Sequence, residues 1–177
     1  FYPRFDSDKF RKYTSIFEIP EDNTLQNMSY GQKKKVLISF ALATKARVLL
    51  MDEPTNGLDI MSKSQFRKIM AEAMDDDQCI IISTHQVKDL ENLIDRVTII
   101  DEGQILFNET MNSIAQKLSF RFAYDQQDAE TAFYNESSFG GTVVVSPNTK
   151  GEEGKVDLEL LYKAIVTNPA TSKSFHQ

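Results

Sequence analysis

The sequence is poor in the residues that stiffen or staple a chain. It has one cysteine, no tryptophan, five prolines and seven glycines among 177 residues. A single cysteine excludes an internal disulfide. Cys79 opens an apolar run, which predicts a core residue of a reducing compartment rather than a nucleophile. No basic surplus exists either: 20 Lys and Arg against 26 Asp and Glu give a net charge of −6. That balance leaves no electrostatic footprint for nucleic acid or an anionic membrane surface. The apolar runs Val36–Ala43, Val48–Met51 and Ile80–Ile82 fall far short of the roughly 20 residues of a membrane helix. Any membrane-spanning part therefore belongs to another chain. A phosphate loop of the form G-x-x-x-x-G-K-[ST] occurs nowhere. Gly154-Lys155 comes nearest, but Thr149 stands where the first glycine is needed and Val156 where Ser or Thr is needed. There is no internal repeat and no low-complexity segment. What remains, 41% hydrophobic and 26% charged, is ordinary for a globular protein of one domain, or one with a small appendage.

The most informative stretch is RVLLMDEPTNGLD, Arg47 to Asp59. Val48-Leu49-Leu50-Met51 is short, apolar and bounded by charge, the pattern of a strand buried on both faces in a parallel sheet. It ends in Asp52 and Glu53, followed by a proline that cannot extend the ladder. Ligands of open α/β sheets sit at the carboxyl ends of strands. An acidic pair there suits phosphate chemistry: one carboxylate for Mg²⁺, the other to orient or deprotonate a water. Taken alone, the pair reads better as a solvated strand end; the flanking residues change that. Upstream, Ser29 stands where an N-cap belongs, before a helix through Val36, Leu37, Phe40 and Ala41. A helix N-terminus offers unpaired N–H groups to a phosphate, and Gly31 allows close approach. Three consecutive lysines, Lys33 to Lys35, cannot share a helix face, so most of them are expected on a solvated flank. Downstream, Cys79–Ile82 forms a second buried strand ending in Ser83-Thr84-His85.

Four motifs in this order resemble the ATP-binding cassette (ABC) ATPases. MSYGQ is similar to their signature, LLMDEP to their Walker B strand with its glutamate, NGLD to their D-loop, and STHQ to their switch histidine. Met28 and Tyr30 depart from the family pattern; the first conserves apolar volume and the second alters only the fine geometry of the loop. The resemblance, over about the first 110 residues, implies an α/β fold: part of a P-loop NTPase-like (ABC ATPase) parallel sheet with flanking helices, to which the residue pattern adds a small α+β appendage at the C-terminus. It implies an ATPase subunit of a membrane transporter with ATP and Mg²⁺. In it Asp52 holds the metal, Glu53 acts as general base, and His85 contacts the γ-phosphate and supports Glu53. Ser29, Gly31 and Gln32 complete the nucleotide site of a second nucleotide-binding subunit in trans, and Asp59 lies at the dimer seam. Transmembrane permease subunits are the implied partners, nucleic acid is not, and the implied place is cytoplasmic, peripheral on the inner face of the cell membrane. FYPRFDSDKF and the lysines after the signature are most similar to bacterial exporters. The family's Walker A loop is absent, and the chain opens on Phe1, so a C-terminal part of a nucleotide-binding domain is expected.

The remaining segments read as follows. Asp6 caps a helix with Phe10, Tyr13 and Phe17 on one face, closed by Pro20. Phe66, Ile69, Met70, Ala73 and Met74 mark an amphipathic helix, ended by the solvated turn Asp75-Asp76-Asp77. Val87, Leu90 and Ile94 mark a short helix; Arg96–Asp101 and Gln104–Phe107 form a hairpin; Met111, Ile114 and Leu118 form a helix. The pattern then changes, which divides the chain into an ATPase part, 1–118, and an appendage, 119–177. The appendage is expected to hold a strand over Phe120, Phe122 and Tyr124, a helix over Ala129–Tyr134 and a strand over Thr142–Ser146. A further helix through Leu158, Leu161, Tyr162 and Ile165 is stopped by Pro169, with a loose polar tail containing His176, which has no assigned role. Two other classes stay open: a soluble ABC-type ATPase acting on ribosomes or chromosomes, and a non-catalytic module that keeps the fold.

The 177-residue chain alone is expected not to hydrolyse ATP and to bind it more weakly than micromolar. Asp52 and Glu53 are both negative, and a helix terminus contributes about 0.3–1 kcal/mol where micromolar binding needs about 8. Calorimetry with MgATP and a phosphate-release assay check this; micromolar affinity would reveal an unrecognised nucleotide site.

Overall fold

The computed structural model describes the chain except Phe1, Asp76, Lys150, Glu152, Glu153, His176 and Gln177, together with the side chain of Asp89. His176 and part of the acidic turn and of the Gly151–Lys155 loop thus lie outside the described residues. Two compact units divide at Leu93 and Ile94. Among the described residues no helix is long and apolar enough to cross a membrane.

The first unit opens with helix α1 (Ser7–Ile16), capped by Asp6, whose Oδ1 accepts from the amides of Asp8 and Lys9. Tyr13 and Phe17 are its buried anchors. Helix α2 (Tyr30–Ala43) begins at Ser29 and buries Ile38 and Leu42. Strand β1 (Val48–Asp52) pairs in parallel with β2 (Cys79–Ser83), in the register Val48↔Cys79 to Asp52↔Ser83. Between them runs α3 (Ile60–Ala73), which buries Phe66, Ile69, Met70 and Ala73. Its predicted partner Met74 is exposed, because the helix ends at Ala73 and Met74 is its extended C-cap. Val87–Asp89 is a single 3₁₀ turn rather than a longer helix, with Leu90 buried behind it.

The sheet departs from the expected double-sided burial. Alternate residues of both strands are exposed: Val48 (56%) and Leu50 (73%) on β1, Ile81 (50%) on β2, and Cys79 beside Val48. Only one face of the pair packs, so half of an apolar pattern fit for two layers meets solvent. Cys79 is accordingly not a core residue.

The second unit begins with the antiparallel hairpin β3 (Arg96–Asp101) and β4 (Gln104–Thr110), turning at Glu102-Gly103, both at positive φ. Helix α4 (Met111–Lys117) leads into β5 (Leu118–Phe122). Helix α5 (Gln126–Thr131) ends before the predicted Ala129–Tyr134 helix does, because Phe133 N–H donates to Val145 and Tyr134 starts a strand. That strand, β6 (Tyr134–Ser138), was not predicted. It pairs with β7 (Gly141–Pro147) in a sheet ordered β5-β7-β6. Helix α6 (Leu158–Thr167) packs Leu161, Ala164 and Ile165 in the core. Pro169 does not merely stop it. It starts α7 (Pro169–Lys173), capped by Asn168, since a missing N–H costs nothing at a first helical position. The tail is not loose either: Phe175 is buried edge-on against Phe107, ring centroids 4.9 Å apart.

The exposed face of β1 and β2 generates a test. Leu50 and Ile81 are cross-strand partners, so Leu50→Lys with Ile81→Glu replaces apolar surface by an opposed charge pair. Light scattering should show reduced self-association, and denaturation a stability change within about 1 kcal/mol. A loss of several kcal/mol would mean this face is buried in solution.

Candidate functional site

All the candidate site residues lie in the first unit, and the pairing of β1 with β2 brings most of them together. Asp52 and Ser83 are register partners, and Ser83 Oγ donates to Asp52 Oδ1 at 2.5 Å. One residue on, Glu53 N–H donates to Ser83 O at 2.8 Å, and Glu53 then turns left-handed at φ +44°. That conformation is unfavourable for a residue with a Cβ. It directs the carboxylate towards the end of β2, where three donors meet it. Thr84 Oγ1 donates to Oε2 at 2.9 Å, and Oε1 accepts from His85 N at 2.9 Å and from His85 Nδ1 at 2.6 Å. An ionised carboxylate only accepts, so His85 Nδ1 carries the hydrogen of that bond. Burial pushes the Glu53 pKa up, but the His85 ring, the Thr84 hydroxyl and the His85 amide outweigh it and hold it below the ordinary 4.5.

At the start of α2 the capping box is closed. Ser29 Oγ accepts from Gln32 N at 3.2 Å while Gln32 Oε1 accepts from Ser29 N at 3.0 Å. Both side-chain acceptors are thereby occupied. The Ser29 hydroxyl hydrogen, the Gln32 amide hydrogens and the backbone N–H of Gly31 remain as donors, the complement of an anion. A Cβ added at Gly31 would lie 3.7 Å from the Gly57 carbonyl oxygen, an ordinary contact, so helix and loop are neighbours there without space itself requiring glycine. Asp59 has a local task as N-cap of α3, accepting from Ser62 N at 2.7 Å. The Ser62 backbone and side-chain hydrogen bonds, helped by Lys35, lower its pKa below 3.8.

The lysines after the signature are where sequence reasoning fell short. Lys34 is half-buried, and its Nζ donates to the carbonyls of Glu53 and, at 2.8 Å, of Asn56. Lys35 Nζ lies 5.8 Å from the centroid of the Phe17 ring, which it faces. Only a three-dimensional neighbour could have revealed these acceptors, since backbone carbonyls leave no trace in a residue pattern.

Among the described residues no three His, Cys, Asp or Glu side chains cluster as a metal cage. A single carboxylate is nevertheless what Mg²⁺ takes when it shares a polyphosphate and keeps its waters. Asp52, exposed and with Oδ2 free of the Ser83 bond, meets that requirement.

An acidic pair at the carboxyl end of a parallel strand, near a helix start rich in donors, is an arrangement that suits phosphate in an α/β fold. Residues 6–56 match the ABC transporter family. Over this segment the chain is similar to the ABC transporter family. Among its relatives are an ABC transporter ATP-binding protein, YtrB of Bacillus subtilis strain 168, 25% identical over 70% of this chain and 43% of its own length. A cobalt import ATP-binding protein, CbiO of Salmonella typhi, is 39% identical over 48% of this chain and 31% of its own length. A ribose import ATP-binding protein, RbsA of Jannaschia sp. strain CCS1, is 37% identical over 54% of this chain and 19% of its own length. The chain thus spans less than half the length of each of these relatives. A solved ATP-binding subunit of an ABC transporter superposes with a TM-score of 0.52 at 23% identity, over 62% of this chain and 48% of that one. This likeness carries the fold alone, and it agrees with the predicted α/β class.

Removing the donors to Glu53 should release its pKa. In Thr84→Val and His85→Ala the carboxyl should titrate closer to 4.5, higher than in the parent. Stability lent by these bonds is present above the ordinary value and lost as pH falls through the lowered one. NMR titration of the Glu53 side chain follows it; an unchanged pKa in both variants would mean the bonds do not form in solution.

Proposed function

We propose that the complete protein is an ATP-hydrolysing subunit of an ABC transporter. The observation that carries this reading is the Glu53 carboxylate, ionised and oriented by Thr84 and His85 directly beside Asp52. Phosphoryl transfer to water asks for little covalent work from the protein; positioning and charge neutralisation supply most of the rate. In this reading Asp52 holds Mg²⁺, which when bound neutralises phosphate charge. Glu53 accepts a hydrogen bond from the attacking water and takes its proton. His85 fixes the Glu53 carboxylate through Nδ1–H and reaches the γ-phosphate with the rest of its ring, where Nε2 donates only in the protonated imidazolium. Ser29, Gly31 and Gln32 offer their remaining donors to the nucleotide of a second nucleotide-binding subunit, and Asp59 stands at the seam between the two.

Transmembrane permease subunits are the proposed partners, and the inner face of the cell membrane, on the cytoplasmic side, is the proposed place. Residues 1–118 are proposed as the ATPase part and 119–177 as its appendage. Relatives named for cobalt and ribose import stand beside the sequence's likeness to exporters, so the proposal is ATP-driven transport without a direction.

Glu53→Gln in the complete protein tests the reading. The amide keeps size and hydrogen bonding but cannot take the proton. ATP binding should persist while turnover falls at least 100-fold, and an ATP-bound dimer should accumulate in sedimentation. Near-normal phosphate release would remove Glu53 from its role as base.

A further inference from the structure

The turn after β1 runs Glu53-Pro54-Thr55-Asn56, closed by Asn56 N–H donating to Glu53 O at 3.2 Å. Its two outer carbonyls, Glu53 O and Asn56 O, converge on one ammonium, Lys34 Nζ, which comes from the second turn of α2. Nothing else among the described residues bonds α2 side chains to this turn. Glu53 itself is left-handed, a conformation that persists only where the surroundings over-determine it. Its side chain is fixed from one side by Thr84 and His85. Its peptide is fixed from the other by Lys34. The ring of Tyr30, on the first turn of the same helix, lies against Gly57, where an added Cβ would meet it at 3.2 Å. Helix and turn are therefore in contact at two places, and Lys34 supplies the charged bond between them.

We propose that Lys34 is a positioning residue: it straps the helix that begins at Ser29 to the backbone of Glu53 and sets where the Glu53 carboxylate stands. This inference rests on the ATPase reading for its consequence, but not for the strap itself. A hydrogen bond from a charged donor is stronger than a neutral one, and two carbonyls on one ammonium restrict the turn in two directions. A cation is the suitable donor, since both acceptors lie at the end of a strand beside two carboxylates. The helix start carries the anion-complementary donors of Ser29, Gly31 and Gln32. A displacement of α2 on meeting a phosphate would then be passed to Glu53 through one rigid turn of helix. Misplacement of a catalytic group by about 1 Å can cost about 100-fold in rate.

The experiment uses the full-length protein and three variants. Lys34→Met keeps the length and removes the donor, Lys34→Arg keeps a charged donor, and Lys34→Ala keeps helix propensity should methionine prevent folding. Lys34→Met is expected to lower kcat about 10- to 100-fold with KM for MgATP within twofold, at an unchanged thermal midpoint. Lys34→Arg should restore most of the loss, which a merely structural defect would not do. Hydrogen exchange of the peptide covering 52–59 should quicken about tenfold in Lys34→Met and recover in Lys34→Arg. An unchanged kcat in Lys34→Met, while Glu53→Gln arrests turnover, overturns the positioning role and leaves the ATPase reading standing. If Glu53→Gln does not arrest turnover, the ATPase reading fails instead, and exchange alone decides the strap: unchanged protection of 52–59 overturns it.

Discussion

The parallel pairing of β1 with β2 is the constraint on which the candidate site depends. Side chains alternate along a strand, so a slip of one residue would move every one of them to the other face. The observed register sets Asp52 opposite Ser83 and hands Glu53 N–H to the Ser83 carbonyl. Only from that point can a left-handed Glu53 reach both Thr84 and His85. A left-handed residue with a Cβ costs about 1–2 kcal/mol. Hydrogen bonds to a charged group contribute about 1.5–3 kcal/mol each, and Glu53 accepts three. The side-chain bonds therefore outweigh the backbone strain. The strain in turn keeps the carboxylate off the axis of β1 and beside the groups that follow β2.

The same economy operates at the start of α2. A capping box could in principle consume all that an N-terminus offers. Here it occupies one acceptor on Ser29 and one on Gln32 and leaves their hydrogens free. An acceptor-poor, donor-rich surface has little to offer a cation and much to offer an anion, and it has that character before any ligand arrives. Sequence could foresee the cap, because Ser followed three residues later by Gln is a local signal. It could not foresee Lys34, whose acceptors lie 19 and 22 residues away on backbone atoms.

What sequence could read and what it missed separate along that line. Local patterns were legible: the Asp6 and Ser29 caps, the amphipathic face of α3, the hairpin of β3 and β4, and the apolar strands β1 and β2. Strand β6 was illegible because its residues, Tyr134-Asn135-Glu136-Ser137-Ser138, carry almost no apolar alternation. It is an edge strand held by the ladder to β7 rather than by its own pattern. Lys163 also bonds Glu136 at 2.8 Å, drawing an otherwise solvated strand onto α6. On sequence alone Pro169 signals a stop, because a proline ends the helix before it. The same ring starts the next one when a cap such as Asn168 precedes it. At the site, the residue types of Asp52, Glu53 and His85 were legible, while the grip of Thr84 and of the His85 backbone on Glu53 was not.

The exposed side of β1 and β2 follows the same logic from the opposite direction. Periodicity reports what a strand is fit to bury, not what is present to bury it. Val48, Leu50 and Ile81 are apolar on the face that the first unit leaves uncovered. Their inward neighbours Leu49, Met51, Ile80 and Ile82 are equally apolar and lie on the packed side. A strand selected only for one-sided burial would carry polar residues at alternate positions. Asp52 and Ser83 do interrupt the apolar run on the exposed face, but only at the end where the acidic pair stands. The candidate site at the strand end thus belongs to the one part of this face whose residues suit water. The rest of the face, Val48, Leu50 and Ile81, is apolar and exposed, and Cys79 at its far end shares that exposure.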